Sequence, residues 1–456
     1  MSGVVIIGNG VAGITLAREL RKRSDTPITI ISEETPHFYS RPALMYLYMG
    51  MLSFTDVKPY EDWFWEKNRL RLVHDRAVGI DVEHKRVRLS REEDRAYDTL
   101  VVATGSRWNT YGWPGEELEG VVGMTHLSDI TELERLSEGA REAVIVGGGL
   151  IGVEMAEMLR SRDIGVTFLV RRSRYWGGML PAEEAAVVGD EIRRHGVDLR
   201  LSTELDALLS DGAGRVRAVR TKDGEEIPCT IAAMTAGVHP VIDLVEEGPI
   251  ETEKGILVDN HFAATVDDVY AIGDCAQFRT PLPERKPVEQ LWYTAKMHGA
   301  TLARTLAGTP TEYRPGLFFN SAKFFEIEYQ TYGVMPAVTP DDQESFYWED
   351  RDRGTTFRVN FDRGTEAVKS FTLLGLRGRH AVAEQWIDRG TSIRDVMADI
   401  GALDFDPEFS RSHLHAMIEK FNRDFPGKAV ALRTPKGLFT PFLRSLFPSL
   451  SSRRAG

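Results

Sequence analysis

Val4-Val5-Ile6-Ile7-Gly8-Asn9-Gly10-Val11-Ala12-Gly13-Ile14-Thr15-Leu16-Ala17-Arg18-Glu19-Leu20 is the stretch whose reading decides the fold. A short β-branched run leads into Gly-x-Gly-x-x-Gly, and helical periodicity follows without a break. That order is strand, tight turn, helix. Gly8 lets the chain turn, Gly10 lets a pyrophosphate approach the backbone, and Gly13 lets helix and strand pack closely. Val11 and Ala12 open the helix, whose unpaired N–H groups and positive dipole end face the phosphates. A second strand, Ile28-Thr29-Ile30-Ile31, follows Asp25-Thr26-Pro27 and ends at Ser32-Glu33-Glu34. An acid at this point, about 25 residues past the first glycine, stands where a ribose hydroxyl is held. Glu33 and Glu34 are both candidates for it. A βαβ turn without a ligand is the competing reading, and strand, helix and acid in their proper places favour a dinucleotide.

The pattern recurs about 140 residues later. Ala143-Val144-Ile145-Val146-Gly147-Gly148-Gly149-Leu150-Ile151-Gly152-Val153-Glu154 is again strand, glycine turn and helix, with Leu150 and Ile151 at the helix start. Two such units imply two dinucleotides. Where an NAD-binding unit carries an acid after its second strand, this chain has Val170, followed by Arg171, Arg172 and Arg174. An acid bonds a ribose 2′-hydroxyl, whereas arginines suit a 2′-phosphate. The bland alternative is a solvated basic loop, and the signature ending in Gly152 is NAD-like, so NADPH and NADH both stay open, with NADPH expected. Small-residue turns close three further buried runs: Ala103-Thr104-Gly105, Thr235-Ala236-Gly237 and Gly273-Asp274-Cys275-Ala276. Such turns let a ligand pass close to the backbone. Asp274, at a strand end beside glycine, is poised to bond a ligand hydroxyl.

The 456 residues suffice for two or three domains, and 42% hydrophobic with 27% charged residues is an ordinary globular balance. A formal net charge of −12 argues against nucleic acid as a partner. Cys229 and Cys275 form no C-x-x-C pair, so neither a cysteine metal site nor a local redox dithiol is expected, and both read as packed thiols. Met1-Ser2-Gly3 runs straight into the first strand, leaving no room for a leader peptide, and no apolar run nears the roughly 18 residues that span a bilayer. A cytoplasmic protein is the expectation.

Between the motifs, Pro36 to Gly50 reads as a turn and a short helix closed by Gly50, with aromatic Tyr60 to Trp65 covering that helix. Pro287 to Leu306 reads as one long helix. From about Pro310 short aromatic strands take over, followed by helical stretches near Ala381–Ile387 and His413–Phe421 (numbers from the sequence). The fold expected is α/β: two Rossmann-like dinucleotide-binding domains and a C-terminal α+β domain. The boundaries expected are 1–114 and 241–310 for the first dinucleotide domain, 115–240 for the inserted second, 311–430 for the third, and 431–456 for a tail.

Together the five motifs resemble the two-dinucleotide flavoprotein family, also called pyridine nucleotide–disulfide oxidoreductase-like, over roughly residues 1–310. The resemblance implies an FAD domain interrupted by an NAD(P)H domain. It implies that the first glycine motif and the acid at Glu33 hold the FAD adenosine part, and that Asp274 holds the ribityl chain. The family's disulfide reductases carry a cysteine pair soon after the first βαβ unit, and residues 34–70 contain no cysteine. The NADH oxidase and peroxidase branch carries a cysteine aligning near Pro42 and a histidine near Val11, and neither is present. Thiol chemistry is therefore not expected. Tyr39-Ser40-Arg41-Pro42-Ala43-Leu44 is similar to a segment of ferredoxin and rubredoxin reductases and of nitrite reductase flavin domains. There a Ser-Lys pair follows, with the lysine near the flavin, whereas this chain continues Met45-Tyr46.

The resemblance thus implies an FAD-dependent NAD(P)H oxidoreductase that passes hydride from NAD(P)H to FAD and electrons onward to an external acceptor, an iron–sulfur redox protein. Glu154, assigned to the first turn of the second helix, is the residue named nearest the nicotinamide, against the simpler role of a helix N-terminal acid. Arg41 faces flavin or acceptor, or else pairs with an acid. Trp292 and Tyr293 lie by the pyrimidine edge of FAD, or else pack in the core. The alternatives are an NAD(P)H oxidase or quinone reductase, and a flavoprotein subunit of a larger redox complex. The tail is basic and apolar at helical spacing (Leu438, Phe439, Phe442, Leu443, Leu446, Phe447, Leu450), which fits a partner groove, an anionic membrane surface, or folding back onto its own domain or a dimer mate.

Overall fold

The computed structural model describes residues 3–406 and 413–433, and the chain divides into two compact units, Met1–Ile327 and Glu328–Gly456. The tail assigned to 431–456 falls, from residue 434 onward, outside the described residues. Among the described residues no helix is long and apolar enough to cross a membrane.

The first unit is built on two five-stranded parallel sheets. In one, the strands run Val269–Ala271, Thr99–Val102, Val4–Ile7, Ile28–Ser32, Leu70–His74. In the other the order is Val197–Leu201, Gly165–Val170, Glu142–Val146, Ile231–Met234, Val121–Val122. Val4–Ile7, Thr99–Val102, Glu142–Val146 and Ile231–Met234 are short, nearly unbroken apolar runs and are buried almost throughout, as parallel strands covered on both faces must be. Register then does the positioning. Ile7 pairs with both Ile31 and Val102, and Val102 pairs with Ala271, so Gly8, Ser32, Ala103 and Ile272 emerge at one carboxyl edge. In the second sheet Val146 pairs with Leu169 and Met234, which brings Gly147, Val170 and Thr235 to one edge. Ligands of open α/β sheets bind outside such carboxyl edges. An antiparallel pair, Ser106–Trp108 with Val238–Pro240, joins the two halves of the unit.

Two expectations are corrected. The long helix begins at Trp292 and runs to Leu306, five residues later than Pro287. Leu291 is extended (φ −134°, ψ 140°), the Pro287 carbonyl accepts from Phe278 N–H at 2.8 Å, and Val288 bridges Gln277. The preceding segment is thus held as an extra strand beside Ala276–Phe278. Tyr60, Phe64 and Trp65, in turn, form an aromatic cluster that packs with Phe38 in the core of the first sheet, near the edge strand Leu70–His74. The short helix Leu44–Tyr48 packs instead against helices Leu127–Ser137 and Leu150–Arg160.

In the second unit the antiparallel strands lie in the order Ile327–Tyr332, Val368–Leu374, Thr355–Asp362, Gln343–Asp350. Alternation puts Phe357, Val359 and Phe361 on one face. Phe346, Phe371 and Phe421 of helix Leu414–Asp424 meet that face. A helix absent from the expectation, Ile393–Ala398, is capped by Ser392, whose hydroxyl accepts from Arg394 N–H at 3.3 Å.

Candidate functional site

Each glycine of the first motif has its own physical reason. Gly8 has φ +114°, and a Cβ built there would stand 2.1 Å from the Ala103 carbonyl oxygen. A Cβ on Gly13 would stand 2.2 Å from the Gly8 oxygen, so helix and strand touch through bare backbone. At Gly10 a Cβ would meet nothing within 4 Å. That space is open, and Gly10 is the N-cap of helix Val11–Arg21 without a side-chain cap. The second motif repeats this. Gly147 has φ +124° and abuts Thr235, Gly152 abuts the Gly147 oxygen at 2.5 Å, and Gly149 faces open space as an uncapped N-cap of helix Leu150–Arg160. Uncapped helix starts leave backbone donors for an external anion. Both cradles fit a dinucleotide pyrophosphate, and Leu150 and Ile151 supply the first helical N–H groups of the second, as Val11 and Ala12 do of the first.

Around the first cradle, Asn9 is buried and donates to the Thr35 carbonyl at 2.9 Å, tying the glycine loop to the segment after the second strand. The two candidate acids part company. Glu33 is exposed, with Arg76 Nε 3.4 Å away. Glu34 turns inward and accepts from Arg41, from the Tyr39 hydroxyl, and from Leu127 N–H at 2.8 Å. Burial alone would raise this carboxyl, but the Arg41 charge and these donors hold it below the ordinary range. Arg41 also donates to the Thr125 carbonyl, so it is tied into the fold by a half-buried acid and a carbonyl rather than reaching freely outward. Pro42 sits in the short 3-10 turn Arg41–Ala43, and Met45, where the family's lysine-bearing segment would run, is buried.

On the neighbouring strand ends, Thr104 donates to the Val241 carbonyl at 2.6 Å, and Gly105 adopts φ +76° with open space where a Cβ would be. Gly273 has φ +75°. Asp274 follows it, half-buried, accepting from the Ser106 hydroxyl at 2.8 Å. Burial lifts its carboxyl above the usual range despite that donor. Helix Trp292–Leu306 crosses helix Val11–Arg21 at Gly299, where a Cβ would come 2.4 Å from the Ala12 carbonyl oxygen. Its first residue, Trp292, is half-buried and meets Tyr293 edge-on at 5.4 Å.

In the second cradle Glu154 lies one turn deeper than expected, because the helix begins at Leu150 and has no acid in its first turn. It is half-buried, and among the described residues nothing donates to it. Burial, followed by the nearby Glu157 charge, pushes its carboxyl up to about 8. Glu157 is satisfied by Phe325 N–H at 2.6 Å and Lys323 at 3.2 Å. Arg171 and Arg172 are exposed and Arg174 half-buried at the edge beyond Val170, and among the described residues none of the three forms an ion pair. Ser202 N–H holds the Arg172 carbonyl at 2.9 Å and so fixes this loop. Gly237 has φ +106°, and the Tyr111 hydroxyl donates to the Ala236 carbonyl beside it at 2.8 Å. Asn9, Ser106, Tyr111 and Gly299 escaped the sequence reading. Only Gly299, a glycine inside a helical pattern, carried a local signal.

The chain is 31% identical over 309 residues to the ferredoxin reductase component of a chlorobenzene dioxygenase from a Cupriavidus species, an overlap of 67% of this chain and 74% of the relative. It is 27% identical to a rubredoxin-NAD(+) reductase of Ectopseudomonas oleovorans, over 68% of this chain and 80% of that one. With a nitrite reductase [NAD(P)H] of Bacillus subtilis it shares 28% identity over 60% of its own length, but only 34% of the relative's. Among solved structures, a NAD-dependent persulfide reductase from A. fulgidus superposes with a TM-score of 0.80 at 24% identity, covering 93% of this chain and 84% of that one. The covalent putidaredoxin reductase–putidaredoxin complex gives 0.74 at 21%, covering 85% and 92%. Residues 2–299, which carry both cradles and the turn at Asp274, match the defining pattern of the pyridine nucleotide-disulphide oxidoreductases. This chain therefore belongs to that family of oxidoreductases, whose members bind FAD and NAD(P)H.

Proposed function

We propose that this protein is an FAD-dependent reductase that takes hydride from NAD(P)H and delivers electrons to a separate iron–sulfur redox protein. The observation that carries the reading is the pair of uncapped, side-chain-free cradles at Gly10 and Gly149 on two parallel sheets of one unit. Bound FAD supplies the conversion of a two-electron donor to one-electron delivery. The chain supplies the rest. Gly8, Gly10 and Gly13 with Val11 and Ala12 hold one pyrophosphate, Glu33 a ribose, and Asp274 with Ser106 a hydroxyl-bearing chain. Gly147, Gly149 and Gly152 with Leu150 and Ile151 hold the nicotinamide dinucleotide, Arg171, Arg172 and Arg174 its 2′-phosphate, and Glu154 stands by the nicotinamide. Ala103, Thr104, Gly105, Gly237 and Gly273 keep the strand ends beside the cradles small, so that a ligand can pass close to the backbone. Arg41 with Pro42 shapes the wall at the first cradle, and Trp292 bounds its far end.

Thiol chemistry has no support, because burial pushes the Cys229 thiol up to about 12 and raises that of Cys275. The acceptor class is supported by the ferredoxin- and rubredoxin-reducing relatives. Steady-state turnover with ferredoxin, rubredoxin, quinone and O₂ tests it. Efficient turnover with an iron–sulfur protein is expected. Turnover with quinone or O₂ alone would replace it by an oxidase or quinone reductase, and no turnover despite bound FAD by a redox subunit.

A further inference from the structure

Directly behind the Asp274 turn lies a buried polar chain that the proposed reaction does not use. His298, in helix Trp292–Leu306, is wholly buried. Its ring is boxed by Phe262, Phe278 and Tyr313 at centroid distances of 4.9, 5.6 and 4.5 Å. Within that apolar box Gly273 N–H donates to Nδ1 at 3.1 Å, and Nε2 meets Glu289 Oε2 at 3.3 Å. A backbone N–H can only donate, so Nδ1 is the bare nitrogen and Nε2 carries the hydrogen that Glu289 accepts. Glu289, itself buried, also accepts from the Tyr313 hydroxyl at 2.8 Å and pairs with Arg285 at 3.4 Å. Glu289 belongs to the segment before Trp292 that is held extended rather than helical, which is what lets it reach back beneath the ring.

We infer that His298 and Glu289 are positioning residues that lock the Gly273–Cys275 turn and thereby set the Asp274 carboxylate for the hydroxyl-bearing chain of the bound cofactor. An aromatic box of this kind would be filled as well by phenylalanine, and a buried imidazole is costly unless both nitrogens are used. Here one nitrogen serves a single backbone donor, the one immediately before Asp274. The inference rests on the FAD reading and adds to it the residues that act through another residue.

FAD titration of the apoprotein, followed by flavin fluorescence, tests this with His298→Phe, His298→Gln and Asp274→Asn, alone and combined. His298→Phe is expected to weaken FAD about tenfold, while His298→Gln, which keeps an acceptor and a donor, stays within about threefold. In the Asp274→Asn background His298→Phe is expected to change the FAD Kd by less than about threefold, because its effect passes through Asp274. A packing role would instead weaken FAD equally in both backgrounds, and that result, or no effect of His298→Phe at all, overturns the inference. Melting of each apoprotein reports folding. If His298→Phe does not fold, Tyr313→Phe, which removes one donor from Glu289, replaces it, with the same non-additivity expected and additivity again overturning the proposal. Wild-type apoprotein that fails to bind FAD defeats the functional reading itself; normal wild-type binding with an unaltered His298→Phe defeats only this inference.

Discussion

Glu154 gains charge only as pH rises through about 8, whereas an ordinary glutamate is fully ionised by then. If it stands by the nicotinamide, its ionised form favours the positive charge that develops on the ring as hydride leaves. Stopped-flow flavin reduction by NAD(P)H should therefore accelerate between pH 7 and 9, and Glu154→Gln should flatten the profile. An inflection that persists in the variant would assign it elsewhere. The unpaired arginines give a second prediction at this scale. Arg172→Ala and Arg174→Ala should each raise the Kd for NADPH about tenfold, with NADH changed less than about twofold. Equal effects on both nucleotides would return the loop to plain solvated surface. The glycines of both cradles were legible in the sequence because strand-turn-helix geometry leaves them little choice, and Asp274 because it stands beside a glycine at a strand end. The tie from Glu34 to Leu127, the Ser106 hydroxyl on Asp274 and the tie from Gly273 to His298 were not, since these partners lie 93, 168 and 25 residues apart and meet only through the tertiary fold. The nearer pairs, Glu34 with Arg41 and His298 with Glu289, depend on how a non-helical segment doubles back, which no period records.

Helix packing carries the next level. Gly299 lets helix Trp292–Leu306 lie on the backbone of helix Val11–Arg21, and its added methyl would press on the Ala12 oxygen and the Leu16 nitrogen, at 2.4 and 2.9 Å. Gly299→Ala should cost about 1–3 kcal/mol of stability by overpacking. It should also loosen FAD, because Ala12 opens the cradle helix. Denaturant unfolding of the apoprotein measures the first effect and flavin retention the second; unchanged stability would mean the helices part without penalty. This interface also shows where periodicity misleads. The run from Pro287 continues the helical pattern of 292–306, yet hydrogen bonds to Ala276–Phe278 claim it for a strand edge, and no local pattern records a tether to another segment. Helix Ile393–Ala398 was missed for a simpler reason: six residues are too few to display a period.

Across the whole chain, two compact units with separate cores should melt separately. Calorimetry of the apoprotein should show two transitions, only one of which moves with FAD. At a hundredfold excess over Kd the gain is about 2.7 kcal/mol, a shift of about 3–5 °C for a unit of this size. Gly10→Val should abolish the shift, since its side chain would occupy the open space of the first cradle. Two transitions that move together would show that the units unfold as one. The sheet order has a further consequence, in the birth of the protein rather than its action. Thr99–Val102 takes its outer neighbour from Val269–Ala271, while every strand of the inserted sheet lies between Val121 and Met234. A ribosome working at about 5–20 residues per second therefore delivers the inserted sheet complete before the enclosing one can close. For on the order of 10–30 s the nascent chain carries the Thr99–Val102 edge unpaired, a standing invitation to a wrong strand. Pulsed proteolysis of stalled chains with Val269–Ala271 still inside the ribosomal exit tunnel, and then clear of it, should see that edge disappear, and a chaperone that shields exposed strands has its natural moment there.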